Sequence, residues 1–427
     1  MQPPVSASEA ARSSPERNDP LAAMLEDPIL IRRLGYLSGS PRVSTRPEAE
    51  ATGPRSHVLG VIGGFKALGW DVQPYIVGDR VPTEWIRSGS AGQLRRRLLT
   101  RLAADVLRVG MGMVNAVDAA RKVGKVDWVY ERLGSFQMMG LPCKAKGIPW
   151  ILETNAPLFD EAKRDRQSVA LGGLARRMEL MAYRQCDVLV SISQELKEIV
   201  VKEASLDPQK VVVLPNGVDA DRFNPGAVMP RRLFSLPTIG FVGNLAVWQG
   251  LDTLLRLLAE FRKEGIDLAL VVVGDGVMRE PWEALARDLA MQDRVKFVGR
   301  VGMDEVPGLV SGFDIGFSGQ LPLGSGKMYL SPLKLYEYLA MAKPALASAY
   351  DDACQVVRPG ETGYLFEPRN ETSLRMILRK AYEERDAWPR MGEAARQLVA
   401  REHSWVARIR QLVDGVEARL QRRRGES

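Results

Sequence analysis

The sequence predicts an α/β protein made of two doubly wound parallel-sheet domains that face each other across a cleft. Three observations predict it. Short apolar runs alternate with longer amphipathic segments almost from end to end. The runs lack the strict apolar/polar alternation of a one-sided sheet, so they read as strands buried on both faces. The rhythm is played twice, on either side of a turn-rich stretch, in a chain of 427 residues that is too long for one ordinary core.

In the first series the runs are Leu34–Leu37, Val72–Val77, Trp128–Tyr130, Trp150–Leu152, Val188–Ile192 and Val211–Leu214. In the second they are Thr238–Val242, Leu268–Val273, Val295–Val298, Asp314–Phe317, Ala345–Ala347 and Gly363–Phe366. Pro215-Asn-Gly-Val-Asp219 and Phe223-Asn-Pro-Gly226 supply the turn chemistry of a linker. The expected organisation is a flexible, Pro/Ser-rich tail over 1–27, a first domain over 28–217 and a second over 218–400. A terminal helix from about Arg390 to Arg423 is longer than one small sheet needs, so its 401–427 part is expected to pack back on the first domain. Ligands of open parallel sheets bind outside the carboxyl ends of the strands, which places one substrate on each wall of the cleft.

Composition excludes several classes. No apolar run approaches the roughly 18 residues needed to span a bilayer. Cys143, Cys186 and Cys354 are far apart and lack CxxC spacing, which argues for a reducing, cytoplasmic setting without disulfides or structural zinc. The chain has only two histidines, His57 and His403, which leaves little for a histidine-rich metal site. Lys plus Arg is 59 against 52 Asp plus Glu, a net charge of +7, with clusters at Arg95–Arg108 and Arg422–Arg424. An anionic partner follows, but aromatics are not interleaved as a nucleic-acid stacking platform requires.

The segment Ser331–Pro344 carries the sharpest local signal. Ser331 reads as an N-cap and Pro332 as the first helical residue. The amides of Leu333 and Lys334 would then point outward at the positive end of the helix, a seat for phosphate. Lys334 and Glu337 share a face, with Glu337 placed for ribose hydroxyls. An ordinary amphipathic helix with a Lys–Glu pair fits the segment alone equally well; its place after the Asp314–Phe317 strand favours the anion seat.

At Pro215-Asn-Gly-Val-Asp219, Val273-Gly-Asp-Gly276, Phe297-Val-Gly-Arg-Val301 and Ser331–Pro344, in this order and spacing, the chain resembles the family 4 glycosyltransferases of the GT-B fold. The resemblance covers most of residues 30–410. It implies a nucleotide-sugar donor (UDP-, GDP-, ADP- or dTDP-linked) on the second domain and an acceptor on the first. It also implies transfer with retention and no required metal. By that likeness Gly53, Gly243, Asn244, Gln249 and Gly250 border the diphosphate. Gly274, Asp275 and Gly276 form the next turn, and Arg300 and Val301 meet the base. Asn244 and Gln249 stand where relatives carry Arg and Lys, so the neutralising charge is expected from Lys334, with Lys327 and Arg55 as alternatives. Tyr329 stands where a first glutamate is usual, and Asn155 where a histidine approaches the sugar. Lys334, Glu337 and Asn155 are therefore the expected catalytic residues, and Arg55, Arg132 and Glu153 the acceptor-side candidates. His57 is expected to cap or pack its helix.

The Leu94–Val109 helix has Leu94, Leu98, Leu102 and Val106 on one stripe beside arginines. It reads either as an ordinary helix with a solvated charged face or as a contact to an anionic membrane. The expected activity is hexosyl transfer to a saccharide, lipid-linked or small-molecule acceptor. A catalytically weak nucleotide-sugar-binding partner and a sugar-nucleotide epimerase are the alternatives.

Overall fold

A computed structural model describes residues 31–82, 98–159, 169–322 and 328–425. The tail 1–27, Arg95–Arg97 and Lys327 lie outside them. Each expected run forms a strand: β1 (Arg33–Ser38), β2 (Asp71–Ile76), β3 (Trp128–Arg132), β4 (Trp150–Thr154), β5 (Val188–Ser191) and β6 (Val211–Val213) in one sheet. The other sheet holds β7 (Thr238–Val242), β8 (Ala269–Val273), β9 (Val295–Gly299), β10 (Ile315–Ser318), β11 (Ala345–Ser348) and β12 (Gly363–Phe366). The orders are β2-β1-β3-β4-β5-β6 and β12-β11-β10-β7-β8-β9. Paired strands run parallel throughout both sheets. Both sheets are buried on both faces, as β8 illustrates with five consecutive buried residues.

Strand order reverses between β1 and β3 in the first sheet and between β7 and β10 in the second. In open parallel sheets such reversals are where ligands bind, beyond the strands' carboxyl ends. The helices that shape the cleft are α1 (Gly53–Ala67), α2 (Leu98–Lys122), α3 (Leu251–Lys263), α4 (Leu333–Ala340), α5 (Trp388–Glu402) and α6 (Trp405–Gly425). Residues 53–57 form the first turn of α1, because the Thr52 hydroxyl accepts from the Arg55 amide and Pro54 suits the first turn.

The single terminal helix expected from about Arg390 to Arg423 is two helices. The break at His403–Ser404 has a tertiary cause: the linker residue Val218 donates to His403 O (3.1 Å) and accepts from Trp405 N (3.0 Å). The Ser404 hydroxyl then accepts from Ala407 N (3.3 Å) and restarts the helix. Beyond it, Trp405, Ile409, Leu412 and Val416 share a core with Val58, Val61 and Phe65 of α1. Close crossing depends on Gly60, where a Cβ would lie 2.0 Å from Trp405 Nε1.

Tyr329 is also anchored across the cleft. Its ring is buried within the first sheet's core cluster, and its carbonyl accepts from Ser193 Oγ (2.8 Å). The segment entering α4 is therefore strapped to the opposite wall.

Candidate functional site

The second domain's site is built at the β7/β10 reversal. Gly243 follows β7 with φ +147° and Gly274 follows β8 with φ +130°, conformations that favour glycine. A Cβ on Gly274 would stand 1.9 Å from Gly243 O, and one on Gly243 would stand 3.2 Å from Lys334 Nζ. The loops therefore pack backbone to backbone and leave Lys334 against bare main chain. Asp275 Oδ1 accepts from Gly276 N (2.8 Å) and fixes its own turn.

Lys334 is buried, its Nζ 3.9 Å from the Phe241 ring centroid and 2.6 Å from Gln249 Oε1, to which it donates. Gln249 is in turn oriented by donating to Asn244 O (3.2 Å). Gly250, with φ +69°, ends this turn and opens α3. Burial pulls the Lys334 ammonium down to about 7 against the opposing pull of Glu337. Glu337 is half-buried; desolvation raises its carboxyl to about 7, while Arg222 and then Lys334 oppose the rise. Arg222 escaped the sequence reading. Its only local signal is its place just past the Pro-Asn-Gly-Val-Asp turn.

Ser331 is not the N-cap. Pro332 holds that position without a side-chain cap, and Leu333 begins α4. The Ser331 hydroxyl is taken elsewhere: it donates to Asp352 Oδ2 (2.8 Å) and accepts from Asn216 N (2.8 Å). The first turn of α4 is thus left without a capping side chain, and Gly53 faces it, its notional Cβ 3.6 Å from Leu333 Cδ1. Arg300 ion-pairs with Glu50 across the cleft, and Val301 packs on the second domain's core.

On the first domain, Arg55 is buried and donates to Ser44 O (3.2 Å) and Arg46 O (2.8 Å), pinning the 44–46 loop. Burial and then Arg222 hold its pKa below the usual guanidinium value. Glu153, buried at the end of β4, takes three partners: His57 Nε2 lies 2.6 Å from Oε1, Asn155 Nδ2 donates to Oε1 (2.6 Å), and Tyr130 OH donates to Oε2. Burial would raise its pKa, but His57, then Arg132 and Tyr130, outweigh it and leave Glu153 at about 2. His57 therefore does more than pack: its Nδ1 meets Asn216 Oδ1 at 2.7 Å. The result is a buried polar chain from Glu153 through His57, Asn216 and Ser331 to Asp352, which Tyr336 OH also meets. Asp352 is raised to about 6 by burial, less the help of its Tyr336 and Ser331 bonds. Arg132 is half-buried at the end of β3.

Two six-stranded parallel sheets, with glycine loops and a lysine-bearing helix at the second sheet's reversal, have the GT-B architecture. Residues 52–222 match the family Glycosyltransferase Family 4, and residues 235–398 match Glycosyl transferases group 1. The chain is a GT-B protein of the glycosyltransferase family 4 type. It is 30% identical over 209 residues to the GDP-mannose-dependent alpha-(1-6)-phosphatidylinositol monomannoside mannosyltransferase of Mycobacterium tuberculosis, covering 47% of this chain and 54% of that protein. It thus spans about half of that relative's length. To the D-inositol 3-phosphate glycosyltransferase of Streptomyces scabiei it is 27% identical over 340 residues, 74% of this chain and 73% of that one. The sucrose-phosphate synthase structure from Thermosynechococcus elongatus shares the fold, with a TM-score of 0.64 at 16% identity over 91% of this chain and 99% of that one.

Proposed function

We propose that this chain is a retaining glycosyltransferase that moves a hexose-type sugar from a nucleotide-sugar donor to a saccharide or lipid-linked acceptor. One observation carries the reading: the Lys334 ammonium, buried beside the bare backbone of Gly243 at the β7/β10 reversal. A buried cation at a strand-end crevice is costly unless an anion meets it there. The mycobacterial relative's GDP-mannose dependence points to the same class of donor.

In this reading the diphosphate lies between Gly53, the Gly243–Gly250 turn and the uncapped start of α4, while Glu337 takes the ribose. As the bond from C1 to the phosphate oxygen breaks, negative charge grows on the diphosphate, and Lys334 and the helix terminus stabilise it. The acceptor hydroxyl bonds to C1 on the face the phosphate leaves, and that phosphate oxygen takes its proton. Retention suits the side chains on the opposite wall. Glu153 is a weak base with its oxygens engaged, and both His57 nitrogens face Asn216 and Glu153. Neither is free to activate an incoming hydroxyl from the far face. Asn155, tied to Glu153, is placed for a sugar hydroxyl.

The acceptor-side wall belongs to the first domain, and α2 suggests where a lipid-linked acceptor arrives. Contrary to a solvated charged face, α2 turns Val106 (60% exposed), Leu107, Met113 and Val114 (68% exposed) to solvent. Arg108 meanwhile is held by buried Asp105 (2.7 Å). An apolar outer face over several turns of a basic segment fits insertion into an anionic membrane interface. No helix among the described residues is long and apolar enough to cross a membrane.

Titrating UDP, GDP, ADP and dTDP, then assaying the matching nucleotide sugars for hydrolysis, tests the reading. Binding of one diphosphate that Lys334→Ala abolishes is expected. Failure of all four to bind would overturn it.

A further inference from the structure

The first sheet has its own reversal, between β1 and β3, and the polar groups there are unspent. Ser38 ends β1 and pairs in register with Arg132 at the end of β3. Tyr36 lies two residues before Ser38, on the same face, its ring stacked on Tyr130 at 5.8 Å. Tyr36 and Ser38 are fully buried, yet Tyr36 OH and Ser38 Oγ have no partner among the described residues. Arg132 Nε is likewise buried and unpartnered, and its guanidinium forms no hydrogen bond or ion pair among the described residues.

The neighbouring carboxylate does not explain these groups. Glu153 pairs in register with Arg132, but His57, Asn155 and Tyr130 already occupy its oxygens. Each of the three idle groups can donate a hydrogen bond. Buried donors are normally satisfied, and the Tyr36 and Ser38 hydroxyls beside the Arg132 guanidinium, which donates to no hydrogen-bond partner among the described residues, form a seat for an oxyanion. Nor do the loops beyond claim this place. Gln137 Nε2 donates to Gly39 O (2.6 Å), and a Cβ on Gly134 would stand 3.3 Å from Gly39 C, so the two loops meet each other and not the idle donors.

We propose that Arg132, Ser38 and Tyr36 form an anion subsite that holds a phosphate or carboxylate of the acceptor. The subsite rests on the glycosyltransferase reading for its role, because it lies on the acceptor wall, but its affinity for an oxyanion stands apart from that reading. Arg132 orients the acceptor through its charge, and Ser38 and Tyr36 supply hydrogen bonds that a neutral sugar cannot use as fully. The acceptors it selects are sugar phosphates, phosphodiester lipids or uronates over neutral glycans.

The test uses the full chain saturated with whichever of UDP or GDP binds, so that the donor site is filled. Glucose 6-phosphate, glucuronate and glucose are titrated separately. The account expects an anionic sugar to bind about tenfold or more tighter than glucose, and the better of the two identifies phosphate or carboxylate as the group read. Arg132→Ala should erase that preference and leave nucleotide affinity within about twofold; Arg132→Lys should keep part of it, and Ser38→Ala should reduce it. Equal binding of all three sugars overturns the subsite. So does an Arg132→Ala variant that retains its preference, or one that loses nucleotide and sugar phosphate alike. If no nucleotide binds, the glycosyltransferase reading fails. Inorganic phosphate titrated into wild type and Arg132→Ala then decides the subsite alone, and equal affinities overturn it.

Discussion

Raising the pH from 7 to 9 should weaken nucleoside diphosphate binding more steeply than any exposed lysine could cause. Lys334 titrates at about 7 in the free protein because burial disfavours its ammonium. An arriving diphosphate favours the charged form, so binding raises this pKa and draws in a proton. Affinity must therefore fall as pH climbs through 7. With the ammonium about half-formed at pH 7 and about 1% formed at pH 9, the loss is about 50-fold, about 2 kcal/mol. Calorimetry in buffers of different ionisation enthalpy should read uptake of about half a proton at pH 7, rising toward one at pH 8. Lys334→Met keeps the stem over Phe241 and should bind weakly with most of the pH slope gone. Flat affinity across this range with no proton uptake would refute the reasoning.

Four further outcomes follow from the packing and the surface. Gly274→Ala places a Cβ 1.9 Å from Gly243 O in a left-handed backbone; nucleotide binding should be lost, with at least about 2 kcal/mol of stability in a denaturant melt. Gly60→Ala should push α6 off α1 and cost about 1–3 kcal/mol, read as a lower Tm. His403 is lowered to about 4 by burial and then by Arg408, so protonation favours the unfolded chain. Stability should drop as pH falls from about 6.5 toward 4, by up to about 3 kcal/mol, and His403→Gln should flatten that limb. Val106→Glu with Val114→Glu should abolish flotation with anionic liposomes and leave nucleotide binding unchanged; flotation that persists would remove α2 from the membrane.

The twelve strands were legible because a parallel strand buried on both faces must be locally apolar, as Ala269–Val273 is. Lys334 and Glu337 were legible as a pair because helical spacing is local. What the residues could not announce was set by contacts between distant segments. Ser331 has an N-cap's chemistry, but Asp352 and Asn216 claim its hydroxyl. Residues Arg390–Arg423 have a continuous helical pattern, and only Val218, far back in the chain, explains the break. His57 looked like a packing residue because Glu153 and Asn216, its partners, come from other elements. Tyr329 gave no sign that it would anchor in the opposite wall.

The most direct test of the central claim is the fate of a nucleotide sugar. With the diphosphate that binds best as leaving group, the purified protein should release sugar or transfer it to an acceptor with the anomeric configuration of the donor kept, and Lys334→Met should lose this while remaining folded. A folded protein that binds the diphosphate yet neither hydrolyses nor transfers the sugar, or one whose Lys334→Met variant turns over as fast as wild type, would contradict it.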